Sequence, residues 1–140
     1  MKIAMIGTGY VGLVSGVCLS DFGHTIVCVD RNTAKIDRLN AGEVPIYEPG
    51  LEALMAKNVA AGRLSFTCDL PSAVAGADAV FIAVGTPTRR GDGHADLTYV
   101  LDSAAEVAAA RTGDCGGATE PPGPVILWVA KQVQAEPASW

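Results

Sequence analysis

Charge is scarce in this 140-residue chain: Asp, Glu, Lys and Arg make up 18% of it, with a net charge of −5. No Lys/Arg run extends beyond Arg89-Arg90, so there is no basic stripe to track a phosphodiester backbone, and nucleic acid is not an expected partner. Histidine is almost missing. His24 and His94 stand alone, and none of Cys18, Cys28, Cys68 and Cys115 forms a C-x-x-C pair, so no metal-ligand cluster is visible. The cysteines are expected to be buried, reduced thiols of a cytoplasmic protein. No apolar run is long enough to cross a bilayer. The N-terminus lacks the basic region and longer apolar stretch of a signal peptide. A membrane is therefore not an expected partner either.

Apolar residues are plentiful, at 49%, enough for the buried core of one domain of this length. The most informative arrangement lies in residues 1 to 30. A short apolar strand, Lys2–Ile6, leads directly into Gly7-Thr8-Gly9-Tyr10-Val11-Gly12. A helical pattern follows from Tyr10 to about Phe22, with Gly23 as a stop signal. Thr25–Val29 is a continuous β-prone run that ends at Asp30. This is the dinucleotide fingerprint in its required setting, strand then glycines then helix. Gly7 permits the tight turn, Gly9 leaves room for a pyrophosphate, and Gly12 lets the helix pack close to the strand. Tyr10 and Val11 offer backbone N–H groups at the positive helix end. Asp30 is placed to accept hydrogen bonds from an adenosine ribose, and its charge favours NAD over NADP, although Arg31 follows it.

Further along, Asn32 or Thr33 caps a helix through about Asn40. Val44–Pro49 reads as a loop and Gly50 to about Ala61 as a helix. Leu64–Cys68 is a strand, and a short helix at Pro71–Ala75 begins near Asp69. Ala79–Val84 is the densest apolar strand, and Gly85–Asp96 is a loop before a helix from Leu97 to about Arg111. Strands alternating with helices imply a parallel sheet with right-handed crossovers. The expected fold is α/β, a Rossmann-like doubly wound parallel sheet truncated after about five strands. Residues 1–111 form the cofactor-binding domain. Residues 112–140 form a divergent tail, rich in Gly and Pro, with a fifth strand at 125–130.

Several segments after Asp30 carry a family likeness: Val29–Ile36 (VDRNTAKI), Leu39–Leu54 (LNAGEVPIYEPGLEAL), Val84–Pro87 (VGTP) and Gly91–Val100 (GDGHADLTYV). With Met1–Gly12 they span residues 1 to about 110, and the chain resembles the UDP-glucose/GDP-mannose dehydrogenase family. The resemblance implies a four-electron oxidation, in which the primary alcohol at C6 of a nucleotide sugar becomes a carboxylate as two NAD molecules are reduced. It also implies that a central helical region and a later domain complete the sugar-nucleotide site and the dimer. A catalytic Cys in that later domain forms a thiohemiacetal and then a thioester, which water hydrolyses. Lys35 matches a family position that reaches the adenosine ribose; as a bare residue it reads equally as a solvated helix lysine.

Thr86 lies just past the fourth strand, at the sheet edge where open α/β folds bind ligands. It reads as a cofactor contact or as part of a rigid connecting loop. Tyr47-Glu48-Pro49-Gly50 is either a helix cap built on Glu48 or, by resemblance, a neighbour of the active-site cleft. Arg89 and Arg90 read as a solvated loop, and Asp92 and Asp96 as turn and N-cap residues.

The family's G-G-x-C-x-P-K-D nucleophile motif has no counterpart in this sequence. Cys115-Gly116-Gly117 reverses the order with no Pro-Lys-Asp after it, so no catalytic residue is assigned. The family's S-T-V-P segment is replaced by Val125–Gln134 (VILWVAKQVQ). The expectation is a truncated or frameshifted dehydrogenase that binds NAD but is inactive alone, with Trp128 and Trp140 as unplanned apolar surface. A UDP-sugar would be a partner only of a full-length relative, and a homo-oligomer stays open. So do a non-catalytic nucleotide-binding or partner-interaction module, and a gene remnant.

Overall fold

The computed structural model describes residues 1–87 and 95–112, with the strand backbone at 126–129. Among these residues, β1 (Lys2–Ile6), α1 (Tyr10–Asp21), β2 (Thr25–Val29), α2 (Thr33–Asn40) and α3 (Leu51–Ala60) come first. They are followed by β3 (Leu64–Thr67), α4 (Leu70–Val74), β4 (Ala79–Ile82), α5 (Thr98–Thr112) and β5 (Ile126–Val129). Every pairing is parallel and the sheet order is β3-β2-β1-β4-β5. The chain runs outward from β1 to β3, then crosses back past β1 to β4. That reversal makes the fold doubly wound and opens a crevice beyond the ends of β1 and β4.

Side chains of β1 alternate between two cores, as the pleat dictates. Ile3 and Met5 pack with Leu13 and Val17 of α1 and with Met55 of α3. Ala4 and Ile6 pack on the other face with Val74 of α4 and with Val100 and Val107 of α5. Gly16 lets α1 lie directly on β2, because a Cβ there would stand 2.8 Å from the Cys28 sulfur. Cys28 is buried, and burial pushes its thiol up to about 12, so it is chemically inert.

The expectation of buried cysteines fails at Cys68, which is exposed, and is only partly met at Cys18. Cys68 follows the last residue of β3 at the sheet edge, where the strand has left its neighbour. Strand β4 is also two residues shorter than Ala79–Val84. The Ala83 N–H still reaches the Ile6 carbonyl at 2.8 Å, but the chain turns away at Gly7, so Val84 has no strand beside it among the described residues.

The helix boundaries follow local chemistry. Helix α1 ends in a Schellman motif. Gly23, at φ +94°, donates to the Ser20 carbonyl, and His24 donates to that of Leu19. Helices α2 and α3 repeat this pattern of hydrogen bonds at Gly42 and Gly62. Asn32 caps α2 by accepting the Lys35 N–H at 3.1 Å, and Asp69 caps α4 by accepting that of Ser72 at 3.2 Å. Asp96 accepts the Thr98 N–H at 3.0 Å at the start of α5.

Arg89, Arg90, Asp92, His94, Cys115, Trp140 and the Trp128 side chain lie outside the described residues. Among the described residues, no helix is long and apolar enough to cross a membrane, and no group of three or more acidic, His or Cys side chains is gathered to hold a metal ion.

Candidate functional site

The turn after β1 is sterically closed to anything but glycine at two positions. Gly7 takes φ +102°, and a Cβ on it would lie 2.6 Å from the Ala83 carbonyl oxygen. A Cβ on Gly12 would lie 1.9 Å from the Gly7 carbonyl oxygen and 3.2 Å from the Ala83 side chain. Helix α1 can therefore start close against the turn. Gly9 is its N-cap, in extended conformation, and its carbonyl accepts the Leu13 N–H at 2.9 Å. The amides before Leu13, those of Tyr10 and Val11 among them, have no intrahelical partner. No acidic side chain stands in this first turn, so no carboxylate of α1 itself offsets the positive helix end.

Asp30 ends β2 beside this turn. Its Oδ2 accepts the Thr8 hydroxyl at 2.6 Å, the Thr8 amide at 3.1 Å and the Lys35 ammonium at 3.3 Å. Its Oδ1 accepts the Asn32 amide at 3.1 Å. Partial burial pushes this carboxyl upward. The Thr8 hydroxyl, the Asn32 and Thr8 amides and the Lys35 charge outweigh that push and hold it below the ordinary carboxylate value. Asp30 is thus a fixed anion at the edge of the turn, and Lys35 sits beside it. Thr8 is fully buried, a positioning residue that sequence reasoning passed over as the variable letter of the motif.

On the β4 side, the Asp96 N–H closes back on the Pro87 carbonyl at 2.7 Å. Thr86 is buried, and its Oγ1 has no hydrogen-bond partner among the described residues. The Tyr47–Gly50 loop corrects the expected cap. The Glu48 side chain accepts the Tyr10 hydroxyl, which together with the carboxylate's charge raises the tyrosine's pKa. It is the Glu48 carbonyl that accepts the Leu51 N–H, at 3.1 Å, where α3 begins. This loop is therefore tied to the first residue of α1.

Both turns border one cleft of about 470 Å³ at the carboxyl edge of the sheet. Of the eight residues expected to bind the cofactor, Gly7, Gly9, Asp30 and Lys35 line it, whereas Tyr10, Val11, Gly12 and Thr86 do not. Gly12 is buried behind the turn, and Thr86 follows the lining residue Gly85. The far wall was not foreseen. Tyr99, Ser103 and Glu106 of α5 line the cleft, at the i, i+4, i+7 spacing that places them on one helix face. That spacing was available in the sequence, where α5 reads only as a crossover.

Comparison with known proteins agrees with this geometry. Residues 1–115 match the model of the UDP-glucose/GDP-mannose dehydrogenase family, NAD binding domain. A UDP-glucose 6-dehydrogenase of Rhizobium meliloti is 66% identical over 113 residues, 81% of this chain and 26% of the relative. The GDP-mannose 6-dehydrogenase of Pseudomonas aeruginosa is 46% identical over 110 residues, 79% of this chain and 25% of the relative. Among solved structures, a GDP-mannose dehydrogenase from P. aeruginosa superposes with a TM-score of 0.81 at 40% identity, covering 92% of this chain and 28% of that one. The chain spans about a quarter of the length of the curated relatives it matches. It belongs to the UDP-glucose/GDP-mannose dehydrogenase family and corresponds to the NAD-binding domain of that family.

Proposed function

From that membership, we propose that this chain is the cofactor half of an enzyme resembling UDP-glucose 6-dehydrogenase. It binds NAD through Gly7, Gly9, Tyr10, Val11, Gly12, Asp30, Lys35 and Thr86. The observation that carries this reading is the single cleft in which Gly7 and Gly9 meet Asp30 and Lys35, with Gly85 on the neighbouring turn. The residues suit the group. Gly7 and Gly9 bring bare backbone to the pyrophosphate, Gly12 lets α1 start close behind them, and the α1 amides meet its charge. Asp30, held ionised, receives the ribose hydroxyls with Lys35 beside it. The Thr86 hydroxyl is buried and unpartnered among the described residues, one residue beyond the lining Gly85, which makes it a candidate donor to the cofactor.

Bound NAD supplies a hydride acceptor; this chain's part is to bind and orient it. Oxidation of UDP-glucose to UDP-glucuronate, the sugar-nucleotide contacts and any homo-oligomer are assigned to the complete protein, and the chain is inactive alone because the family's nucleophile motif has no counterpart in it. Calorimetric titration with NAD should give saturable one-to-one binding, weakened about tenfold or more in Asp30→Ala by the loss of hydrogen bonds to a charged group. A coupled NADH assay with UDP-glucose should stay flat. A folded chain that shows no saturable binding overturns the cofactor reading, and measurable turnover overturns the inactivity.

A further inference from the structure

Arg31 immediately follows Asp30 at the end of β2 and lines the same cleft. An arginine near this position is the group that accommodates a 2′-phosphate in dinucleotide folds, and its planar fork suits phosphate. A sequence with Asp30 and Arg31 side by side therefore carries both a mark against NADP and a mark for it. The structure resolves the conflict through a residue on another element. Arg31 Nη2 donates to Glu106 Oε1, and Glu106 stands on α5, on the far wall of the cleft. Lys35 is paired in turn with Asp30. Arg31 and Lys35 are the cations among the described lining residues, and each has a carboxylate partner.

We propose that Glu106 is a cofactor-specificity residue: by pairing with Arg31 across the cleft, it withholds the guanidinium from a 2′-phosphate and adds a second negative charge beside Asp30. The inference rests on the reading that the Asp30 end of the cleft takes the adenosine ribose. The pair itself is exposed, with 65% of the arginine and 49% of the glutamate side chain accessible. Exposed ion pairs contribute little to stability, so the fold does not depend on this one. Its consequence lies in charge. The four groups sum to zero as they stand, and removing Glu106 leaves one net positive charge with a free fork. NADP gains from that change through its 2′-phosphate; NAD carries only an uncharged 2′-hydroxyl there.

The test measures dissociation constants for NAD and NADP by calorimetry at one fixed ionic strength. The proteins are the unaltered chain, Glu106→Ala, Glu106→Gln and the double variant Arg31→Ala/Glu106→Ala, each checked for its unfolding transition. Glu106→Ala should raise the NADP-to-NAD affinity ratio up to about fivefold, because NADP then need not break an exposed ion pair to engage Arg31 and no longer meets the Glu106 charge. Glu106→Gln should raise it by less, because its amide oxygen still accepts from Arg31. The double variant should return the ratio to its starting value. An unchanged ratio in Glu106→Ala with NAD still bound overturns the inference alone, as does a raised ratio that persists without Arg31. A chain that binds neither dinucleotide overturns the site reading and the inference with it.

Discussion

Strands β1 and β4 lie side by side, with Ile6 in register with Ile82, and each ends in a turn containing a buried threonine. The two turns are finished differently. Thr8, after β1, is fully buried and gives both its hydroxyl and its amide to Asp30. Thr86, after β4, is buried to 9% exposure, and its hydroxyl has no partner among the described residues. The glycines differ in the same sense. Gly7 and Gly12 are packed against backbone so tightly that a methyl has nowhere to go, whereas a Cβ on Gly85 would meet nothing within 4 Å. A buried polar group left unsatisfied costs free energy that a satisfied one does not. The threonine of the first turn is satisfied within the fold, whereas that of the second has no hydrogen-bond partner among the described residues.

The largest break of this comparison should come from Gly12→Ala. Alanine ordinarily stabilises a helix relative to glycine by about 1 kcal/mol. Here the new Cβ would overlap the Gly7 carbonyl at 1.9 Å, a backbone atom that cannot swing aside as a side chain can. The expected result is a net loss on the order of 3 kcal/mol, read as a lower denaturant midpoint, with NAD binding abolished. A stability gain would mean that α1 can retreat from the turn and that the close packing is not fixed.

Thr8→Val should have the next largest effect. It keeps the shape and removes a hydrogen bond to a charged group, worth roughly 1.5–3 kcal/mol. The loss should also have a pH signature. Because the folded carboxyl of Asp30 titrates below its ordinary value of 3.8, its contribution to stability is fully present above that value. The contribution fades as pH falls through the lowered folded pKa. Without the Thr8 hydroxyl the folded pKa rises toward the ordinary value, so the contribution in Thr8→Val is smaller and is exhausted at a higher pH than in the unaltered chain; the cost of the substitution should therefore shrink as pH falls below the ordinary carboxylate value, and Thr8→Ser should restore the profile. Unfolding curves from neutral to strongly acidic pH check this. A cost that does not change with pH would reduce Thr8 to a packing residue.

Legibility in the sequence follows the range of the interactions. Strands β1 and β2 were readable to the residue and the cap of α2 to a choice between Asn32 and Thr33, because alternation, glycine and side-chain capping are local. So was the glycine turn, whose requirements follow from backbone sterics over six positions. Asp30 was legible as an anion. What holds it was not, because Thr8 meets it only after α1 has folded the chain back across 22 residues. Of the two readings open for Glu48, the side-chain cap fails because the nearby helix start offered only a local role, while its side chain had a distant partner in Tyr10, 38 residues away. The α5 wall was missed for a similar reason. Its face is plain in the spacing of Tyr99, Ser103 and Glu106, but only the sheet order sets that face against Asp30 and Arg31.

The sharpest form of the comparison is the same substitution made in the other turn. Thr86→Val deletes a hydroxyl that forms no bond among the described residues, so no hydrogen bond is lost and a desolvation penalty disappears. Stability should stay within about 0.5 kcal/mol of the unaltered chain or rise, in contrast to the loss at Thr8. NAD affinity should nevertheless fall, by about 1 kcal/mol if the hydroxyl makes one ordinary hydrogen bond to the cofactor. Denaturant unfolding and calorimetric titration of the same preparation separate the two effects. If stability falls as far as in Thr8→Val, the Thr86 hydroxyl already serves the fold and the two turns are alike. If neither stability nor affinity moves, the unsatisfied group in the β4 turn does not serve the cofactor. Only a variant that folds as well and binds worse identifies this turn as the one that the cofactor completes.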